Sequence, residues 1–121
     1  MPADPLELAD LSDPEDRKLL TLARSTRART QAAEGASVRD TDGRTYAAAS
    51  VELPSLQLSA IAVAVAMAVS SGAPGLEAVV LLSEAPVVAE GDLSVVRDVA
   101  GAGVPVHLAA PDGTVIASLT S

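Results

Sequence analysis

The sequence predicts an α/β fold, a mixed β-sheet of about five strands flanked by helices, on three observations. Asp13-Pro14-Glu15-Asp16 has the form of a helix start. Asp42-Gly43 lies between two short extended runs, and two apolar runs between Leu76 and Ala110 enclose a helical stretch.

Taken in order, residues 1–12 hold Pro2, Pro5 and several acids among scattered leucines, a composition that predicts a mobile acidic tail outside the domain. Residues 13–121 then form one domain. Asp13 supplies an N-cap, Pro14 the first helical position, and Glu15 and Asp16 the negative charge that a helix N-terminus favours. The helix should run to about Arg29, with Leu20, Ala23 and Ala28 inward and the arginines outward. Ala36-Ser37-Val38 and Thr45 to Ala49, joined through Asp42-Gly43, predict a β-hairpin.

The stretch from Leu56 to Ser71 carries two signals. Ile61, Val63, Val65, Met67 and Val69 alternate with alanines at a period of two, as in a strand. Its length, its alanine content and the stop at Gly72 and Pro74 argue for a helix, which would be apolar all round and buried on most sides. Leu76 to Ser83 then reads as a buried strand, Asp92 to Ala100 as a helix and Pro105 to Ala110 as a second buried strand. Asp112-Gly113 turns into Val115 to Leu119, a last strand suited to a sheet edge.

A chain of 121 residues suits one core, enough to bury roughly two thirds of the surface of the unfolded form. Apolar residues make up 49%, yet Tyr46 is the only aromatic, so Ala, Val, Leu and Ile must build the interior and allow close backbone approach. A formal charge of −8 argues against nucleic acid and anionic membranes as partners. With no cysteine there is no disulfide framework, catalytic thiol or thiolate metal site. The acidic N-terminus does not read as a signal peptide, and the longest apolar run, Leu58 to Val69, is too short to span a bilayer, so a cytoplasmic protein is expected.

Gly35-Ala36-Ser37-Val38, Asp42-Gly43-Arg44-Thr45-Tyr46 and Ser50-Val51-Glu52, followed by Leu56 to Ile61 and on through Gly72, resemble the small homotetrameric cytidine deaminases in composition and spacing. The resemblance covers nearly all of residues 13–121 and implies a cytidine deaminase-like three-layer sandwich. In that family a Cys-Ala-Glu motif supplies one zinc ligand and a proton-carrying glutamate, and Pro-Cys-x-x-Cys supplies two further ligands. The chemistry needs all four groups: zinc brings bound water from a pKa of about 15.7 to about 7, and the carboxylate carries a proton toward the departing ammonia. Here the ligand positions fall on Ser59, Ala89 and Asp92 and the glutamate position on Ile61, so the resemblance implies a degenerate member with vestigial active-site positions, no metal and no cofactor.

The family's ribose-holding Asn and Glu correspond to Ser50 and Glu52, its Phe near the base-binding wall to Ala32, and the loop between Glu52 and Ser59 is two residues shorter. Ser50 and Glu52 are therefore the candidate ligand-binding residues, although an acid in Glu52's place is more often solvated or capping. Ser59 reads first as a helix cap and His107 as a hydrogen-bonded strand residue. Arg24, Arg27, Arg29, Arg39 and Arg44 concentrate positive charge in the first third of the domain, either as a binding face or as a solvated surface. One histidine and no nucleophile elbow give no basis for a Ser-His-Asp arrangement. Three functions follow in order: a non-catalytic protein acting through self-assembly, as a dimer or tetramer, or through a protein partner; a nucleoside or nucleotide binding module; and a cytidine deaminase by family only.

Overall fold

The computed structural model describes residues 11–121, and the tail expected over residues 1–12 lies outside the described residues as far as residue 10. Leu11 is buried in the same cluster as Leu19 and Val115, and Arg17 Nη1 donates to the Leu11 and Ser12 carbonyls at 3.1 and 3.0 Å. Among the described residues, packing against the domain is therefore already present at Leu11.

Helix α1 (Pro14–Thr30) starts where its cap chemistry places it, with Asp13 Oδ1 accepting the Glu15 N–H at 2.8 Å. It ends at Gln31, whose φ of 55° is the left-handed conformation that turns a chain out of a helix. Its buried stripe is Asp16, Leu19, Ala23 and Thr26. The inward set expected from spacing is corrected in two places, since Leu20 is half-buried and Ala28 exposed. The stripe is rotated because Asp16, a residue that composition alone would send to solvent, turns inward to meet charged groups of the sheet.

Strands β1 (Gly35–Asp40) and β2 (Thr45–Ala49) form the expected hairpin, in register from Gly35↔Ala49 to Arg39↔Thr45. Its turn is organised by Asp40. That carboxylate is fully buried and accepts the Asp42 and Arg44 N–H groups and the Tyr46 hydroxyl, each at 2.9 Å. Burial pushes its pKa up, but those three donors and the nearby Arg44 charge outweigh it and hold the carboxyl below its ordinary value. The same contact raises the Tyr46 phenol.

Strands β3 (Val51–Leu53) and β4 (Leu56–Leu58) pair as a separate two-stranded ribbon, which period-two reasoning did not separate from the helix that follows. Helix α2 (Ala60–Ser70) begins after Ser59. Strand β5 (Leu76–Leu82), helix α3 (Glu90–Ala100) and strand β6 (Pro105–Ala109) form the expected parallel crossover unit, and β7 (Val115–Thr120) closes the sheet as an edge. The five-stranded order is β2-β1-β5-β6-β7, with β5–β6 parallel and the other pairs antiparallel.

Strand alternation divides the core between the two faces of this sheet. Ala36, Val38, Val79, Leu81, Val106 and Leu108 face α2 and α3, whereas Ala78, Val80, Leu82 and Ala109 face α1. The result is three layers without a buried aromatic ring. Small residues permit the close approach that such a core requires: a Cβ on Gly35 would lie 2.7 Å from Arg27 Cβ and closer still to the Ala23 carbonyl oxygen. Between the same two layers, the Ser37 hydroxyl donates to the Leu19 carbonyl at 2.6 Å.

The expectation that α2 is buried on most sides is also corrected. Ala60, Ile61, Ala64, Val65 and Ala68 are buried, but Met67 and Val69 are 40% and 51% exposed. Only one stripe of this helix meets the sheet, and the described residues leave Met67 and Val69 uncovered. Among the described residues no helix is long and apolar enough to cross a membrane.

Candidate functional site

A cleft of about 720 Å³ opens at the carboxyl end of β5, beside the N-terminus of α2. Its walls come from the segment after α1, the β3–β4 ribbon and the residues that follow β5. Crevices at strand carboxyl ends are where open α/β sheets hold ligands. Ser50, Glu52 and Ser59 all line it, so three of the residues singled out from sequence meet in one place.

Each has a defined setting. Ser50 Oγ accepts the Glu34 N–H at 3.0 Å and the Ser50 N–H donates to the Glu34 carbonyl at 3.1 Å, which pins the loop after α1 to the end of β2. Glu52 is exposed on the ribbon and points no hydrogen bond to another described residue. Glu34, which the sequence gave no reason to select, lines the cleft and accepts the Ala60 N–H through Oε1 at 3.3 Å. With Glu34, Glu52 and Glu84 against the single guanidinium of Arg27, the cleft is rich in hydrogen-bond acceptors and carries excess negative charge.

Ser59 is the N-cap of α2, its Oγ accepting the Ala62 N–H at 3.1 Å, in keeping with its expected role. Its hydroxyl proton goes elsewhere. Ser59 Oγ donates to Asp92 Oδ1 at 2.6 Å, joining the start of α2 to the first turn of α3 across 33 residues of sequence. Two of the three positions that the sequence resemblance assigns to metal ligands are thus bonded to each other. The third, Ala89, is the N-cap residue of α3, has no side-chain cap and offers only a methyl group. Ile61 does not reach the cleft lining; it is fully buried in the cluster between the sheet and helices α2 and α3.

These residues do not fit a catalytic zinc ion. Such sites need three protein ligands, chiefly imidazole, thiolate or carboxylate, and an open position. Here one hydroxyl, one methyl and one carboxylate occupy the ligand positions, and the carboxylate is engaged by the hydroxyl. Among the described residues no group of three or more His, Cys, Asp and Glu side chains is placed to hold a metal.

A second polar cluster lies on the other face of the sheet. Arg39 Nη2 donates to Asp16 Oδ1 at 2.9 Å and Nε to Glu77, so this arginine belongs neither to a solvated surface nor to an open binding face. Burial disfavours its charge, yet Glu77 and Asp16 raise its pKa above the ordinary value. Asp16 Oδ2 lies 3.1 Å from His107 Nε2, and His107 Nδ1 lies 2.8 Å from Ser118 Oγ. The fold thereby assembles a Ser, His, Asp chain that the sequence gave no basis to expect. Ser118 is exposed on the edge strand β7 and does not line the cleft beside α2. The chain ties α1 to β6 and β7.

A family model described as cytidine deaminase-like matches residues 12–113. Solved structures agree on the fold. Cytidine deaminase from Burkholderia pseudomallei superposes with a TM-score of 0.72 at 18% identity, covering 87% of this chain and 90% of that one. Cytidine deaminase from Mycobacterium leprae gives 0.67 at 20% identity, covering 89% and 94%. The Mycobacterium tuberculosis enzyme gives 0.66 at 22%, covering 80% and 85%. No curated protein matches the sequence.

Proposed function

The chain belongs to the cytidine deaminase-like family, and on that premise we propose that it is a non-catalytic member acting through association with itself or with another protein. One observation carries the first half of this reading: the Ser59 hydroxyl bonds the Asp92 carboxylate at 2.6 Å where the family holds its metal, while Ile61 lies in the core where the family has its glutamate. Deamination of a nucleobase needs a metal-activated hydroxide and a carboxylate that moves protons. This donor set offers neither.

The second half rests on uncovered apolar surface. Among the described residues, five of the seven exposed large hydrophobics (Leu53, Leu56, Leu58, Met67 and Val69) come from the β3–β4 ribbon and α2, so the excess is concentrated there. A symmetric interface would cover it at about 25 cal/mol per Å². The same reading takes the protein as cytoplasmic. Size-exclusion chromatography with light scattering tests association: a dimer or tetramer is expected, and a stable monomer at micromolar concentration would defeat it. Metal analysis and a cytidine assay at high enzyme concentration test the loss of catalysis. Stoichiometric zinc with turnover would overturn that part.

A second reading is favoured by the cleft. Its volume of about 720 Å³ and the acceptors Glu34, Glu52 and Glu84 suit a neutral ligand rich in hydroxyl groups, such as a nucleoside, over a phosphorylated one. A nucleoside at one hundred times its dissociation constant would add about 2.7 kcal/mol of stability, readable as a thermal shift. No shift across a nucleoside panel counts against it.

A further inference from the structure

The positions that the sequence resemblance assigns to metal ligands lie at the starts of helices α2 and α3. We infer that the Ser59–Asp92 hydrogen bond has taken over the metal's structural task, tying the N-terminus of α2 to that of α3. The inference rests on the reading that this chain holds no metal.

The geometry supports a tie rather than an incidental surface contact. A serine hydroxyl has one proton and accepts through lone pairs. Here the proton is committed to Asp92 Oδ1 at 2.6 Å, within the short range of a bond to a carboxylate, while Oγ accepts the Ala62 N–H at 3.1 Å. Asp92 occupies the first turn of α3, and Ser59 the cap of α2. The carboxylate therefore lies in the first turn of its own helix and is reached from the other through the serine hydroxyl. Helix α3 carries Glu90 and Asp92 in its own first turn, whereas α2 borrows the Asp92 charge through Ser59. Helix α2 has no acid in its first turn, and α3 has no side-chain cap at Ala89. A metal ion held by ligands from both helix starts would join the same two segments.

Two experiments on the full chain test this. In a double-mutant cycle, Ser59→Ala and Asp92→Ala are compared singly and together by urea unfolding. The cap lost with Ser59 is absent from both variants that carry the substitution and cancels. The expected result is a coupling of about tenfold or more in the folding equilibrium constant, the scale of a hydrogen bond to a charged group. Additive single effects would overturn the tie. Should a single variant fail to fold, Ser59→Gly, a tolerated N-cap, and Asp92→Leu, which has no acceptor oxygen, replace them in the same cycle; a coupling below twofold would again overturn it.

The second experiment asks whether the bond stands in the metal's place. The variant Ser59→Cys/Ala89→Cys/Asp92→Cys is titrated with cobalt(II). One equivalent bound with the absorption of a tetrahedral thiolate site, and a raised unfolding midpoint, is expected. A folded variant that binds no cobalt would show that the three positions do not converge and would overturn the inference. Either failure leaves the proposed loss of catalysis standing, because that reading falls only to zinc and turnover in the unaltered chain.

Discussion

Returning the family's glutamate to position 61 should damage this protein rather than revive it. Ile61 is fully buried among the alanines and valines that pack α2 on the sheet. Truncating a buried isoleucine costs about 2–5 kcal/mol, and the two methylenes of a glutamate recover part of that loss. The carboxyl adds its own term. A buried, unpartnered acid is held neutral, and at pH 7 raising its pKa from about 4.3 to above 7 costs about 1.4 kcal/mol per unit, or nearly 4 kcal/mol. Ile61→Glu should therefore lose about 5–7 kcal/mol at neutral pH, against a total of roughly 6–18 kcal/mol for a chain of this length. The sign with pH follows from proton counting. The unfolded variant releases the proton above about pH 4.3 and the folded one keeps it, so stability falls as pH rises, by about 1.4 kcal/mol per unit up to the raised folded pKa. Urea unfolding followed by circular dichroism at about pH 5, 6 and 7 reads both magnitude and slope, with Ile61→Leu, expected to cost less than about 1.5 kcal/mol, as the volume control. A loss below about 1 kcal/mol, or one independent of pH, would mean that side chain 61 reaches water and would refute the placement.

Other substitutions probe separate parts of the structure. Gly35→Ala forces a methyl into the Ala23 carbonyl and Arg27 Cβ and should cost about 1–3 kcal/mol in urea unfolding, with a neutral effect showing that α1 and β1 can separate freely. Asp40 has a lowered pKa, so its contribution is fully present above its unfolded value of 3.8 and is lost as pH falls through the folded one; Asp40→Asn should flatten the acid limb of a stability profile, and an unchanged limb would contradict the three-donor site. Met67→Glu and Val69→Glu fall on the exposed part of α2 and should shift the chain to monomer in light scattering with an unchanged far-ultraviolet circular dichroism spectrum; persistence of the oligomer would move the interface elsewhere.

Local chemistry was readable in this sequence, and long-range pairing was not. Asp13, Pro14 and the acids of the first turn marked α1 because a cap acts within a few residues of itself. Asp42-Gly43 marked the hairpin for the same reason, and Leu76 to Ala110 gave a strand, helix and strand with boundaries within two residues. The stretch from Leu56 to Ser71 was ambiguous because alanine scores as apolar everywhere. Three of the five residues of its helical stripe, Ala60, Ile61, Ala64, Val65 and Ala68, are alanine, and Ile61 and Val65 combine with Val63, Met67 and Val69 outside it to imitate a period of two. The three-residue strand Leu56–Leu58 was invisible, since it exists only by pairing with Val51–Leu53. Arg39 was equally beyond reach from sequence. Its burial depends on Asp16 from α1, and the neighbouring His107 contact spans 91 residues, so no local pattern could turn it inward. The cleft showed the same division: Ser50, Glu52 and Ser59 were selected, but Glu34 was missed because its role is an amide of α2 that only the fold brings near.

On the proposed reading, Ser59, Asp92 and Ile61 act on the same end of α2, and their energetic sense is consistent. A metal site contributes folding energy as well as chemistry, so its removal alone would leave two helix starts untied and ligand groups unsatisfied. Ser59 and Asp92 satisfy one another, a bond to a charged group worth about 1.5–3 kcal/mol, and Ile61 adds a fully buried side chain worth about 1.5–3 kcal/mol relative to exposure. Those two contributions fall on adjacent layers of one structure, the polar tie at the helix ends and the apolar contact beneath them. A group poised for proton transfer in the same place would have to be desolvated and left partly unpaired, as the Ile61→Glu estimate illustrates. On the proposed reading, residues 59, 61 and 92 contribute to stability through the hydrogen bond and the buried volume that occupy this end of α2.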